Sequence, residues 1–108
     1  MTFNEYQEAA GKTAIYPRKL SIVYPLIGLA GETGEVAEKV KKIIRDNDGI
    51  FDESEKLEIA KELGDVLWYL SAIAADMGYR LDDIARLNIE KIQSRHERSF
   101  LHGNGDNR

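Results

Sequence analysis

Glu58-Ile-Ala-Lys-Glu62-Leu-Gly-Asp65-Val-Leu-Trp-Tyr69-Leu-Ser-Ala-Ile73-Ala-Ala-Asp-Met77 decides how this chain folds. Ile59, Leu63, Val66, Leu67, Leu70, Ile73, Ala74 and Met77 recur at helical spacing and mark one apolar face. At about 100° per residue, Glu58, Glu62, Asp65 and Tyr69 form a stripe that borders this face rather than opposing it. A purely solvated charge face would lie opposite the core. Asp52 or Ser54 can cap the start of this helix, and Gly78 stands where its C-terminal cap belongs.

Upstream, Leu26, Leu29, Val36, Val40, Ile43 and Ile44 predict a helix that begins between Leu20 and Leu26 and runs to about Arg45. Pro25 suits its first turn, and Asp46-Asn-Asp-Gly49 ends it. Thr2 and Glu5 have capping-box spacing and open a shorter first helix that runs towards Thr13, followed by a connector with Pro17, Arg18 and Lys19. Asp82 or Asp83 is expected to start a fourth helix through Ile84, Leu87 and Ile92 to Phe100. No stretch alternates as a strand does. The expected architecture is all-α, a four-helix-bundle-like single domain over residues 1–100, with a disordered tail over 101–108.

Composition narrows the chemistry. The 108 residues carry a net charge of −4 with acids and bases interleaved, so no basic face points to nucleic acid as partner. There is no cysteine, hence no disulfide, zinc-thiolate or thiol nucleophile. Neither a signal segment nor a membrane-length apolar run is present, and a cytoplasmic location is the expectation.

Two short motifs carry the functional signal. Glu32-Thr-Gly-Glu35 and Glu62-Leu-Gly-Asp65 each set two carboxylates i, i+3 on one helical face. Packed side by side, the two helices bring four acids together at the edge of an apolar core, where a divalent cation would compensate them. Oxygen ligands of this kind suit Mg²⁺ or Mn²⁺, ions that accompany phosphate chemistry. Lysines such as Lys39, Lys42 or Lys61 could equally pair with these acids. Against that, Gly34 and Gly64 lie inside the motifs, where a helix-interior glycine costs about 1 kcal/mol relative to alanine. Such a cost is accepted where a neighbouring helix or ligand comes close. A carboxylate-bridged di-iron site would need Glu-x-x-His on two helices, and the two histidines, His96 and His102, lie outside both motifs.

Leu29-Ala-Gly-Glu32-Thr-Gly-Glu35-Val-Ala-Glu, Lys61-Glu62-Leu-Gly-Asp65-Val-Leu-Trp-Tyr69-Leu and Asn88-Ile-Glu-Lys91-Ile-Gln-Ser-Arg95 together resemble the MazG-like all-α nucleoside triphosphate pyrophosphohydrolases. The likeness covers roughly residues 20 to 98. Gly31 stands where longer MazG proteins have the first glutamate of a doublet, so the form is closer to the short single-domain branch that includes the deoxycytidine triphosphate pyrophosphatases. The resemblance implies Glu32, Glu35, Glu62 and Asp65 as Mg²⁺ ligands (Mn²⁺ substituting), with Glu35 and Glu62 in the catalytic machinery. It implies Lys91 and Arg95 on phosphate and Asn88 on the sugar or a phosphate oxygen. It also implies cleavage between the α- and β-phosphates and assembly as a homodimer or homotetramer.

Chemistry agrees with this assignment. Water attacking a triphosphate needs charge neutralisation and in-line positioning, and Glu35 is favoured to orient that water. Tyr69, one turn after Asp65, is placed to stack on or bond to the nucleotide, whereas Trp68 is expected to point elsewhere, into core or subunit interface. The connector Tyr16-Pro-Arg18-Lys19 is a candidate for base recognition. The rival readings are a non-catalytic helical interaction module and a hydrolase of another phosphorylated nucleotide.

Overall fold

A computed structural model describes residues 1–98 and 103–107. Four α-helices occur among the described residues, with no strand: α1 (Phe3–Gly11), α2 (Val23–Asn47), α3 (Glu53–Asp76) and α4 (Leu81–Glu97). A 3₁₀ turn, Arg18–Leu20, lies in the connector between α1 and α2. None of the helices is long and apolar enough to cross a membrane.

Local chemistry sets the helix ends. The Thr2 hydroxyl accepts from the Glu5 amide and the Glu5 carboxylate accepts from the Thr2 amide, so two otherwise orphaned donors are satisfied reciprocally. Asp48 and Gly49 take left-handed conformations after α2, and the Gly49 amide returns to the Ile43 carbonyl. Asp52 caps α3 through the Glu55 amide at 2.8 Å. At the other end Gly78, with φ +80°, lets the Tyr79 amide close on the Ala74 carbonyl. α4 departs from expectation: it starts at Leu81, ahead of both aspartates, and Asp83 in its first turn reaches back to the Arg80 amide.

α2 and α3 form a long antiparallel hairpin, α1 lies on α3, and α4 packs on α1 and α3. Gln7 fastens the α1 contact by donating to the Ser71 and Tyr79 carbonyls and accepting from the Leu81 amide at 2.9 Å. Asp76, its side chain 3% exposed, anchors the connector. It accepts from the Tyr16 hydroxyl (2.7 Å), Arg18 (3.1 Å) and the Ile22 amide (2.8 Å). Burial pushes the Asp76 carboxyl up, but these three donors outweigh it and hold it below the ordinary aspartate range. The grip fixes Ile22 at φ 69°, a left-handed conformation unfavourable for a β-branched residue.

The apolar faces read from the sequence are only partly covered. Tyr16, Pro25, Ile43, Ala72, Ala74 and Leu81 are buried, and Val66, Leu67 and Ile73 are half-buried. Leu26, Ile44, Leu63, Leu70 and Met77, expected on the inner faces, are left exposed by the described residues of the single chain. The expected extension of α4 to Phe100, and residues 101, 102 and 108 of the expected tail, lie outside the described residues.

Candidate metal centre

Glu32 comes from the third turn of α2, and Glu62 and Asp65 come from the middle of α3. Because the two helices run side by side, one carboxylate oxygen from each of the three lies within 4.8 Å of the others. Glu32 and Glu62 are half-buried and Asp65 is exposed. Burial, then the neighbouring charges of Asp65 and Glu62, push the Glu32 carboxyl up. The nearest compensation is Lys39, whose Nζ stands 3.6 Å from Glu62.

An all-oxygen donor set this close together, with one member's charge already disfavoured, fits a hard divalent cation. Glu35, the fourth expected acid, is exposed and supplies no atom to this grouping. It adds only to the field that raises Glu32. Glu35 lies one turn beyond Glu32 on α2, and α3 comes close to the first of the pair.

The cluster opens onto a cleft lined by Thr13, Glu32, Asp65, Trp68 and Tyr69. Trp68 therefore faces the acids rather than pointing away, and its indole N–H donates to the Thr13 hydroxyl at 2.8 Å. The signal was available: Trp68 follows Asp65 at i+3, the same spacing that pairs the acids. An adjoining hollow continues past Trp68 and Tyr69 to Ile15, Tyr16 and Tyr24. There Tyr16 and Tyr24 stack at 5.0 Å, with Arg18 over the Tyr16 ring at 4.7 Å. The aromatic part of the connector thus sits beside the acid cleft because Asp76 holds it there. Burial, followed by Tyr24 and the nearby carboxylates, raises the Tyr69 hydroxyl, which keeps it a proton donor.

Gly28 was not visible as a site residue. A Cβ there would run into the Tyr69 ring, so the glycine lets the tyrosine lie flat on α2 beside Glu32. Gly34 and Gly64 behave otherwise: a Cβ on either would meet nothing within 4 Å among the described residues. The close approach expected at these two positions does not occur among the described residues.

Asn88 and Lys91 line a different cleft, with Ile84 and Leu87, that shares no residue with the acid cleft. Lys91 donates to the Asp106 carboxylate at 3.1 Å. Arg95 is buried, and its Nη2 donates to the Gly105 and Asp106 carbonyls at 3.2 and 2.8 Å. The structure therefore gathers Glu32, Glu62, Asp65 and Tyr69. It places Asn88, Lys91 and Arg95 apart from them.

A family model described as MazG nucleotide pyrophosphohydrolase domain matches residues 25–100. The chain is also 42% identical over 109 residues to the Gene 37 protein of Mycobacterium phage L5, an alignment that covers 95% of this chain and 96% of the phage protein. That name carries no activity. No solved structure matches the chain.

Proposed function

The chain belongs to the MazG nucleotide pyrophosphohydrolase family, and from that premise we propose that it hydrolyses a nucleoside triphosphate to the monophosphate and pyrophosphate with Mg²⁺ as cofactor. The observation that carries this reading is the convergence of Glu32, Glu62 and Asp65 within 4.8 Å beside an aromatic cleft. These three residues would hold the cation, with Glu35 adjacent. The bound ion would neutralise phosphate charge and acidify the attacking water.

The chain's own groups then have separable tasks. Glu35 stands outside the tight cluster, so its carboxylate is disengaged and suited to orient the water and accept its proton. The water oxygen bonds to the α-phosphorus and stays on the monophosphate, the bond from that phosphorus to the α–β bridging oxygen breaks, and pyrophosphate departs with the bridging oxygen. Trp68 and Tyr69, with the Tyr16–Tyr24 stack beyond them, offer flat apolar surface for the base. Lys91 and Arg95 are the phosphate cations and Asn88 the polar contact beside them; since they stand apart from the acids within one chain, a second copy would have to bring them to the substrate.

Self-association belongs to the same proposal. A monomer of 12.2 kDa is expected to expose about 6,000 Å², whereas this chain exposes 7853 Å². The excess, roughly 1,800 Å², is what one partner contributes to an obligate dimer. Leu63, Leu70 and Met77 form one exposed stripe available for it. A second copy accounts for these faces on either the hydrolase or the interaction-module reading, so metal dependence is what separates the two.

The deciding experiment is Mg²⁺-dependent pyrophosphate release across the standard ribo- and deoxyribonucleoside triphosphates, with chromatographic identification of the product. Monophosphate plus pyrophosphate is the expected result. Folded protein that releases nothing from the panel and gains no thermal stability from Mg²⁺ would overturn the proposal.

A further inference from the structure

Lys91 and Arg95 are not waiting open for a ligand. They are i, i+4 on α4 and grip one acidic residue of the chain's own tail. Lys91 Nζ lies 3.1 Å and Arg95 Nη2 3.5 Å from the same Asp106 Oδ1. Arg95 adds bonds to two tail carbonyls, Gly105 and Asp106. The Asp106 side chain is 81% exposed, while that of Arg95 is only 10% exposed, so the tail covers the guanidinium rather than being covered by it. Arg95 Nε is buried with no partner among the described residues. A guanidinium has five donors in a fixed fork, and this grip leaves part of the fork unused.

We propose that the Asp106 segment is an autoinhibitory phosphate mimic, which occupies Lys91 and Arg95 until a polyphosphate chain displaces it. One carboxylate oxygen and two carbonyls imitate an anion incompletely. A phosphate presents more oxygens and more charge, and can reach the Nε donor that the tail leaves unsatisfied. The same contact holds the Asp106 carboxyl below its ordinary range, first through the Lys91 hydrogen bond and then through Arg95. Asp106 is tethered to α4, so it competes at a fixed local concentration, on the order of millimolar for a short tether. Weak substrates at low concentration are excluded and abundant ones get in. The inference rests on the reading of Lys91 and Arg95 as phosphate ligands.

The test uses the full chain and inorganic tripolyphosphate without metal, so it needs no turnover. If the tail is bound in about nine molecules of ten, Asp106→Asn, which removes the charge but keeps the two carbonyl contacts to Arg95, tightens tripolyphosphate binding by more than twofold and at most about tenfold, measured by calorimetry at fixed ionic strength. Tripolyphosphate added to the unmodified chain should also return the Asp106 carboxyl to the ordinary aspartate range in an NMR titration, and Lys91→Ala should raise it part of the way, Arg95 remaining. The proposal is overturned if Asp106→Asn leaves the affinity within twofold, or if the Asp106 carboxyl ignores the ligand. Tightening without hydrolysis of any nucleotide would uphold the tail contact and sink the hydrolase reading instead.

Discussion

Gly28→Ala tests the contact that sets the aromatic wall of the cleft against α2. In a helix interior open to solvent, the exchange stabilises by about 1 kcal/mol. Here the new methyl would overlap Cδ1, Cε1 and Cζ of Tyr69. Overpacking of this kind costs about 1–3 kcal/mol, and the half-buried ring can yield only by leaving α2 towards the cleft that holds Glu32 and Asp65. The net expectation is a loss of about 1 kcal/mol, or a fall in Tm of roughly 4–8 °C for a domain of this size. With Tyr69→Ala as background the obstacle is gone, and the same Gly28→Ala should raise Tm by a similar amount. The coupling from this double-mutant cycle is therefore about 2 kcal/mol. Thermal unfolding followed by helical circular dichroism, at one protein concentration because association shifts Tm, gives all four values. Equal shifts in both backgrounds, or stabilisation in both, would refute the Gly28–Tyr69 contact.

The other predictions address the acids and their surroundings. Glu62→Gln and Asp65→Asn should each remove the Mg²⁺-induced rise in Tm, which for the unmodified chain reflects a stabilisation of about 2.7 kcal/mol at one hundred times Kd. They should leave helical dichroism intact and abolish pyrophosphate release. Gly34→Ala and Gly64→Ala, with open space at the new methyl, should each stabilise by about 1 kcal/mol, and destabilisation in a thermal melt would place a second copy's backbone there. Asp76→Asn should cost about 2 kcal/mol by weakening charge-assisted bonds to Tyr16, Arg18 and the Ile22 amide. The Asp76 carboxyl is lowered in the folded chain. Its stabilisation is therefore present above the unfolded value of about 3.9 and lost as pH falls through the folded one. The variant should show a flatter acid limb in Tm against pH.

Local signals were legible in the chain and tertiary ones were not. Thr2 with Glu5, Asp52 and Gly78 act within one turn of backbone, so their roles follow from spacing alone. The all-α class follows equally from the apolar periods of α2 and α3. Three of the four acids meet because i, i+3 spacing fixes a face and two helices sharing one core must bring bordering faces together. Glu35 drops out of the tight group because the approach of α2 to α3 along their length is a packing result. Thr13 joins the cleft because α1 packs on α3 and Trp68, far along the chain, donates to its hydroxyl, and Gly28 matters only because Tyr69 of another helix lands on it. Neither pairing has a local signature. Trp68 did, since its i+3 relation to Asp65 was as readable as the acid pairs.

The acid cluster by itself works against the fold, and this links stability to the proposed chemistry. Glu32 is raised by burial and by its neighbours' charges, so the folded chain holds that proton more tightly than the unfolded chain does. Stability from this group is full below the unfolded pKa and is lost as pH rises through the folded one, leaving a penalty at neutral pH. Lys39, 3.6 Å from Glu62 and itself 35% exposed, is too screened to cancel it. A divalent cation reverses the sign by making the charged form of all three acids the favoured one. The residues whose mutual repulsion weakens the fold are thus the ones that would make cation binding strong. A solvated acidic face with lysine partners has no such reversal, so a metal-induced gain in Tm that vanishes below the carboxylate range separates the two physically.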